Sequence, residues 1–253
     1  MILHGHEEGA GPPVALLHGL FGSARNWRTV QRALAERFRT IALDLPNHGA
    51  SPHAAPMDYA TMASGVSATL AAMGAVPAAL VGHSMGGKVA MALALARPDL
   101  VSRLAVVDIA PVPYPPAHRA LIGAMQALPL GPGLTRAGAD AALAAVTANP
   151  AERGFVLQNL RFTPAPEWRL GLAEIAASMP AIEDFAPPEG ASYAGETLFI
   201  AGGKSAYIRP EYRARIAALF PRARITTIAA AGHWVPVEAP EAFLQVLSAF
   251  LEE

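Results

Sequence analysis

The stretch AALVGHSMGGKVAMALALA, Ala78 to Ala96, decides the fold. It opens with an apolar run of strand length, Ala78–Val81, and closes with helix formers from Met85 to Ala96. Between them stands Gly82-His83-Ser84-Met85-Gly86, a G-x-S-x-G pattern. A serine on a sharp strand-to-helix turn is the arrangement of a nucleophile elbow. Such a turn strains the backbone at the serine, and side chains at the flanking glycine positions would collide with neighbouring chain. It also sets Ser84 at a helix N-terminus, where N–H groups and the helix dipole favour negative charge.

The same residues carry a rival pattern. Gly82 to Lys88 also fits G-x-x-x-x-G-K, the opening of a phosphate-binding loop, and Leu104–Asp108 resembles the apolar, Asp-ended strand that accompanies it. Position 89 is Val89, where that loop needs Ser or Thr for magnesium. The turn also follows the third parallel strand rather than the first, so the elbow is the better reading.

Outward from the elbow, short apolar runs alternate with helical patterns. The expected strands are Val14–Leu17, Thr40–Leu43, Ala78–Val81, Leu104–Val107, Thr197–Ala201 and Arg224–Ile228. The expected helices are Arg25–Arg37, Tyr59–Met73, Met85–Ala96, Pro210–Phe220 and Glu241–Leu251. This alternation predicts an α/β fold with a mostly parallel sheet and helices on both faces. The stretch from Pro111 to Ser192 offers no convincing strand and holds three or four helices. We expect a core of residues 1–110 plus 191–253, with 111–190 as a helical cap inserted after the strand that ends at Asp108.

Composition narrows the function. Of 253 residues, 53% are hydrophobic and 15% charged, which suits a well-cored chain. The net charge of −1, without a Lys/Arg block, gives no electrostatic case for nucleic acid or an anionic membrane. The absence of cysteine excludes disulfides, a thiolate nucleophile and Cys-ligated zinc. MILHGHEEGAGPP lacks a basic start followed by an apolar run, and Val89–Ala96 is too short to span a bilayer. A cytoplasmic protein is the default expectation.

Acyl transfer builds charge on a carbonyl oxygen and needs two preorganised donors. Met85 N–H, directly after the serine, is one. The other comes from His18-Gly19-Leu20-Phe21-Gly22, after the first clear strand, with Leu20 first choice and Phe21 second. Of the eight histidines, His233 in Ala231-Gly232-His233-Trp234 alone follows the final strand, as the base of such a site does. His4, His6, His53 and His118 read as surface residues; His18, His48 and His83 read as loop-orienting residues. Trp234 and Phe21 are placed to touch substrate, whereas Phe155, Leu157, Leu160, Phe162 and Trp168 of the insert read mainly as packing.

The acid is harder to assign. The usual position, after TLFIA, leads into Gly202-Gly203-Lys204-Ser205, with Ser205 where an Asp is expected. A serine cannot supply the charge that stabilises imidazolium. Asp108, at the end of LAVV, is the best replacement, with Ser205 holding it or His233. Glu174, Glu183 and Asp184, in or beside the insert, are weaker candidates.

With HGLFGS, DLPNHGAS, GHSMGGKVAM, VVDIAPVPY and AGHW in view, the chain resembles the α/β-hydrolase superfamily, most closely the YbfF-type esterases and their mitochondrial relatives. The elbow is shared widely; DIAPVPY and GGKSAYI are more specific. The resemblance implies a Ser84–Asp108–His233 triad and a serine at Ser205. It also implies hydrolysis of small-molecule acyl esters or acyl-CoA thioesters, no metal or organic cofactor, and a lid formed by the insert. Asp44-Leu45-Pro46-Asn47-His48-Gly49 reads as structural support. The same constellation serves lactone opening, C–C bond hydrolysis or perhydrolysis, and a non-catalytic small-molecule receptor is the alternative outside catalysis.

Overall fold

The computed structural model describes all residues 1–253. Nine strands occur in chain order: β1 Gly5–Glu8, β2 Pro13–Leu17, β3 Arg39–Leu43, β4 Ala78–His83, β5 Val101–Val107, β6 Leu160–Arg161, β7 Glu167–Trp168, β8 Thr197–Gly202 and β9 Ala223–Ile228. The α-helices are α1 Arg28–Leu34, α2 Tyr59–Ala72, α3 Met85–Ala96, α4 Arg119–Ala127, α5 Arg136–Leu143, α6 Pro150–Leu157, α7 Leu172–Glu183, α8 Arg213–Leu219, α9 Val235–Glu238 and α10 Pro240–Glu252.

Seven strands form one sheet in the order β1-β3-β2-β4-β5-β8-β9, parallel except for β1, which runs antiparallel to β3. Alternate residues of each strand enter opposite cores. In β4, Ala78 and Leu80 join the layer packed by α2, α3 and the insert, while Ala79 and Val81 join the layer packed by α1 and α10. The chain leaves β2 for β3 on one side and returns to β4 on the other. The crevice between the ends of β2 and β4 is therefore the switch point where open α/β sheets bind ligands.

Three departures from the expected elements stand out. β1 was not expected; GHEE is polar because an edge strand keeps one face in solvent. The stretch Pro111–Ser192, expected to lack strands, holds the hairpin β6–β7, whose two-residue strands are too short for any periodic signal. The expected helix Arg25–Arg37 begins as a 3-10 turn over Ala24–Trp27, which buries Trp27, and continues only to Leu34. No helix is long and apolar enough to cross a membrane.

Candidate active site

The elbow forms because two glycines let backbone meet backbone. A Cβ on Gly82 would lie 2.2 Å from the Gly86 carbonyl oxygen, and one on Gly86 would lie 2.3 Å from that of Leu17. Both are far inside van der Waals contact, so only glycine fits. Ser84 itself sits at φ 51°, ψ −119°, a strained conformation for a side chain that bears a Cβ. Its N–H donates to Val107 O of β5 (3.0 Å), and α3 begins at the next residue. The hydroxyl is thereby fixed at the mouth of the crevice.

The structure brings the three expected residues together. Ser84 Oγ lies 3.1 Å from His233 Nε2, and His233 Nδ1 lies 2.8 Å from Asp108 Oδ2. Asp108 is fully buried at the end of β5, with φ 49°. Its other contacts fix the carboxylate in place. Oδ1 accepts the Gly202 N–H (2.9 Å), and Oδ2 also accepts the Ser205 hydroxyl (2.5 Å). A carboxylate only accepts, so His233 carries its proton on Nδ1 and leaves Nε2 free for the serine proton. The alternatives are elsewhere. Glu183 pairs with Arg119, Asp184 accepts its neighbour's N–H, and Glu174 lies by Gly171.

Of the two expected amide donors, Met85 directly follows Ser84 and Leu20 lines the same pocket as Ser84. Met85 N–H is the first of α3 and has no acceptor within the helix. Leu20 N–H has no partner in the protein. The second choice, Phe21, is corrected by the structure: its N–H donates to His48 Nε2 (3.1 Å) and is already committed. The Phe21 ring still lines the pocket, as does Trp234.

Two buried histidines, His18 and His48, and the half-buried His83 hold this arrangement. His18 donates from Nδ1 to Gly19 O (2.8 Å) and accepts the Leu45 N–H at Nε2 (2.9 Å), joining the turn after β2 to the loop after β3. His48 donates to Pro46 O (2.8 Å). His83 Nε2 donates to His233 O (2.8 Å). Burial holds His48 and His83 down to about 3, so both stay neutral, and a neutral His48 keeps Nε2 free to accept the Phe21 N–H. In the loop after β3, Asp44 accepts the Ala24 and Ala50 N–H groups (2.7 and 2.9 Å).

Other contributions lay outside the sequence reading. Tyr207 stacks on the His233 ring, with centroids 4.2 Å apart. Glu238 accepts the Gly232 and Trp234 N–H groups (2.8 and 3.0 Å), shaping the turn that carries His233. Tyr207 lies in the quoted GGKSAYI segment and Glu238 four residues after Trp234, but neither position has a local pattern. His118, expected at the surface, is corrected. It is half-buried, lines the pocket beside Ser84 and packs edge-on to Phe21. Of the insert's aromatic residues, Phe155 packs at a tilt against Trp234 and lines the pocket, whereas Trp168 donates to Met125 O (3.1 Å).

Lys88 settles the rival motif. Its Nζ donates to Asp184 O (2.9 Å) and Glu183 O (3.4 Å) at the end of α7, among the rings of Tyr59, Tyr114 and Phe185. Burial lowers its pKa to about 8, against the favourable charge of Asp184. The ammonium is committed to protein carbonyls instead of a phosphate cradle.

Comparison with known proteins shows the family. The family model described as alpha/beta hydrolase fold matches residues 12–240. The chain is 41% identical to the sn-1-specific diacylglycerol lipase ABHD11 of Mus musculus, over 95% of this chain and 81% of the relative. It is 35% identical to Esterase YbfF of Escherichia coli (strain K12), over 95% of this chain and 93% of the relative. A solved structure named Marine microorganism esterase superposes with a TM-score of 0.94 at 31% identity, covering 98% of this chain and 99% of that one. The chain belongs to the α/β-hydrolase fold family.

Proposed function

We propose that this protein is a carboxylic ester hydrolase, with thioesters within its chemistry, that works through an acyl-enzyme on Ser84. The observation that carries this reading is the hydrogen-bonded line from Ser84 Oγ through His233 to buried Asp108. The names of the relatives, an esterase and a diacylglycerol lipase, point the same way.

In this reading His233 Nε2 takes the proton of Ser84 as its oxygen attacks the acyl carbonyl. Met85 and Leu20 N–H groups receive the charge that develops on the carbonyl oxygen. Asp108 stabilises the imidazolium, and Ser205 and Gly202 keep the carboxylate aimed at Nδ1. The imidazolium then protonates the leaving group, whose bond to the acyl carbon breaks. Water, deprotonated by His233, attacks the acyl-enzyme and releases the carboxylic acid, and Ser84 regains its proton.

Residues 111–190 act as a lid over a core of residues 1–110 and 191–253. The support is that His118, Asn149, Glu152 and Phe155, all from this segment, line the pocket above Ser84. Ser84→Ala tests the reading. Turnover of a simple aryl ester falls about 10⁶-fold if the triad acts as a unit, and a loss below about tenfold overturns it.

A further inference from the structure

The motifs DIAPVPY and GGKSAYI supply Asp108 and Ser205 to the site, and each also carries a tyrosine, Tyr114 and Tyr207. The structure joins those two residues. Tyr114 Oη accepts the Ala110 N–H (2.9 Å) and donates to Tyr207 O (2.5 Å). Both directions are fixed, because a backbone N–H only donates and a carbonyl only accepts. A neutral phenol meets both at once, and burial raises the Tyr114 pKa, so the proton stays on.

The two partners lie on the loops that hold the acid. Ala110 follows Asp108 by two residues in the loop after β5. That loop begins at φ 49° on Asp108, a conformation that a residue with a Cβ keeps only where its neighbours enforce it. Tyr207 follows Ser205 by two residues in the loop after β8. Ser205 Oγ donates to Asp108 Oδ2 and accepts the Tyr207 N–H (3.2 Å), while the Tyr207 ring stacks on His233. The ladder between β5 and β8 ends at Val107 opposite Ile200, followed by Asp108 N–H on Ile200 O (2.9 Å). Past that point, hydrogen bonds between the two loops come from the Asp108 carboxylate and the Tyr114 hydroxyl. Tyr114 is itself anchored. Its N–H donates to Glu183 O (2.8 Å) at the end of α7, and Lys88 Nζ of α3 lies 5.0 Å from its ring.

We propose that Tyr114 is a positioning residue for the triad. Its hydroxyl locks the loop after β8 onto the loop after β5, which keeps Ser205 on Asp108 and the Tyr207 ring on His233. Tyr114 acts on His233 only through these neighbours. This rests on the hydrolase reading and adds to it the clamp by which an acid on β5 is served by the loop after β8.

The test is Tyr114→Phe, which removes the hydroxyl and keeps the ring against Lys88. Tyr193→Phe is the comparator, because the buried Tyr193 hydroxyl donates to Val101 O (3.0 Å) at the far end of β5. Hydrolysis of p-nitrophenyl acetate is followed well below the Tm of each variant. Tyr114→Phe lowers kcat about tenfold with KM held within about twofold, whereas Tyr193→Phe lowers Tm alone. In a Ser205→Ala background the path is already cut, so adding Tyr114→Phe costs about threefold or less. In the free protein, the downfield proton resonance of His233 Nδ1–H broadens in Tyr114→Phe through faster exchange with water and stays sharp in Tyr193→Phe. A kcat within about twofold of the parent overturns the proposal. So does a rise in KM alone, which marks a substrate contact, or an equal loss with and without Ser205, which marks separate actions. Absence of Ser84-dependent turnover in the parent removes the hydrolase reading and this inference with it. A parent that turns over and is matched by Tyr114→Phe sinks the clamp alone.

Discussion

Replacing Asp108 with Asn tests how the base is held. The carboxylate makes three contacts: Oδ1 with Gly202 N–H, and Oδ2 with both Ser205 Oγ and His233 Nδ1. A backbone N–H can only donate, so in Asp108→Asn the amide oxygen stays on Gly202 and the NH₂ turns toward His233. Nδ1 must then accept, which moves the imidazole proton to Nε2. The nitrogen facing Ser84 at 3.1 Å becomes a donor and can no longer take the serine proton. The imidazolium also loses its counter-charge. An inverted tautomer of this kind costs about 10⁴-fold in kcat, which at about 1.4 kcal/mol per tenfold is about 5.5 kcal/mol of barrier. The assay is initial-rate hydrolysis of p-nitrophenyl acetate with the Ser84→Ala protein as blank. A thermal melt establishes that the variant is folded. A folded Asp108→Asn protein within tenfold of the parent refutes the reasoning, and an essential Glu174, Glu183 or Asp184 would then name a different acid.

Further outcomes follow from the same geometry. Ser205→Ala removes one hydrogen bond to a buried carboxylate, worth about 1.5 kcal/mol or more, so kcat falls about tenfold; steady-state kinetics showing no change would make Ser205 a bystander. Gly82→Ala drives a methyl group to 2.2 Å from the Gly86 carbonyl oxygen, so the protein is expressed insoluble or melts several degrees lower with its esterase activity lost; an active variant of unchanged Tm contradicts the elbow packing. Lys88 has a folded pKa lowered to about 8 from an ordinary value near 10.5. The unfolded chain therefore binds more protons than the folded one between those values, and stability rises with pH across that window. Its size is about 3.5 kcal/mol at most, from roughly 2.5 pK units at about 1.4 kcal/mol each. Lys88→Met abolishes this component, so the stability difference between the two proteins, read by urea unfolding from pH 7.5 to 10, changes with pH; a difference flat with pH contradicts a charged, buried Lys88.

The elbow was legible because its determinants are local: an apolar run, two glycines and a helix follow one another within nineteen residues, Ala78 to Ala96. Asp108 was legible through topology. In an alternating α/β chain, β5 falls beside β4, and its last residue comes level with the serine turn. His118 was misread because PPAHRA carries surface residues on either side, and only the docking of the insert turns its ring toward Ser84. That Phe21 N–H is already engaged depends on His48, from a loop 27 residues further along the chain, which no local pattern reveals. Tyr207 and Glu238 act through stacking and backbone acceptance, which leave no periodic trace in sequence. Which residues line the pocket at Ser84 depends on how the insert packs, a long-range property that no single segment encodes.

The most direct test of the central claim is intact-mass analysis of the purified protein after exposure to a fluorophosphonate, followed by peptide mapping. One adduct on Ser84, absent from Ser84→Ala and forming far more slowly in His233→Ala, is the result that the Ser84–His233–Asp108 line requires. No adduct on a folded protein, or an adduct on any other residue, would contradict it.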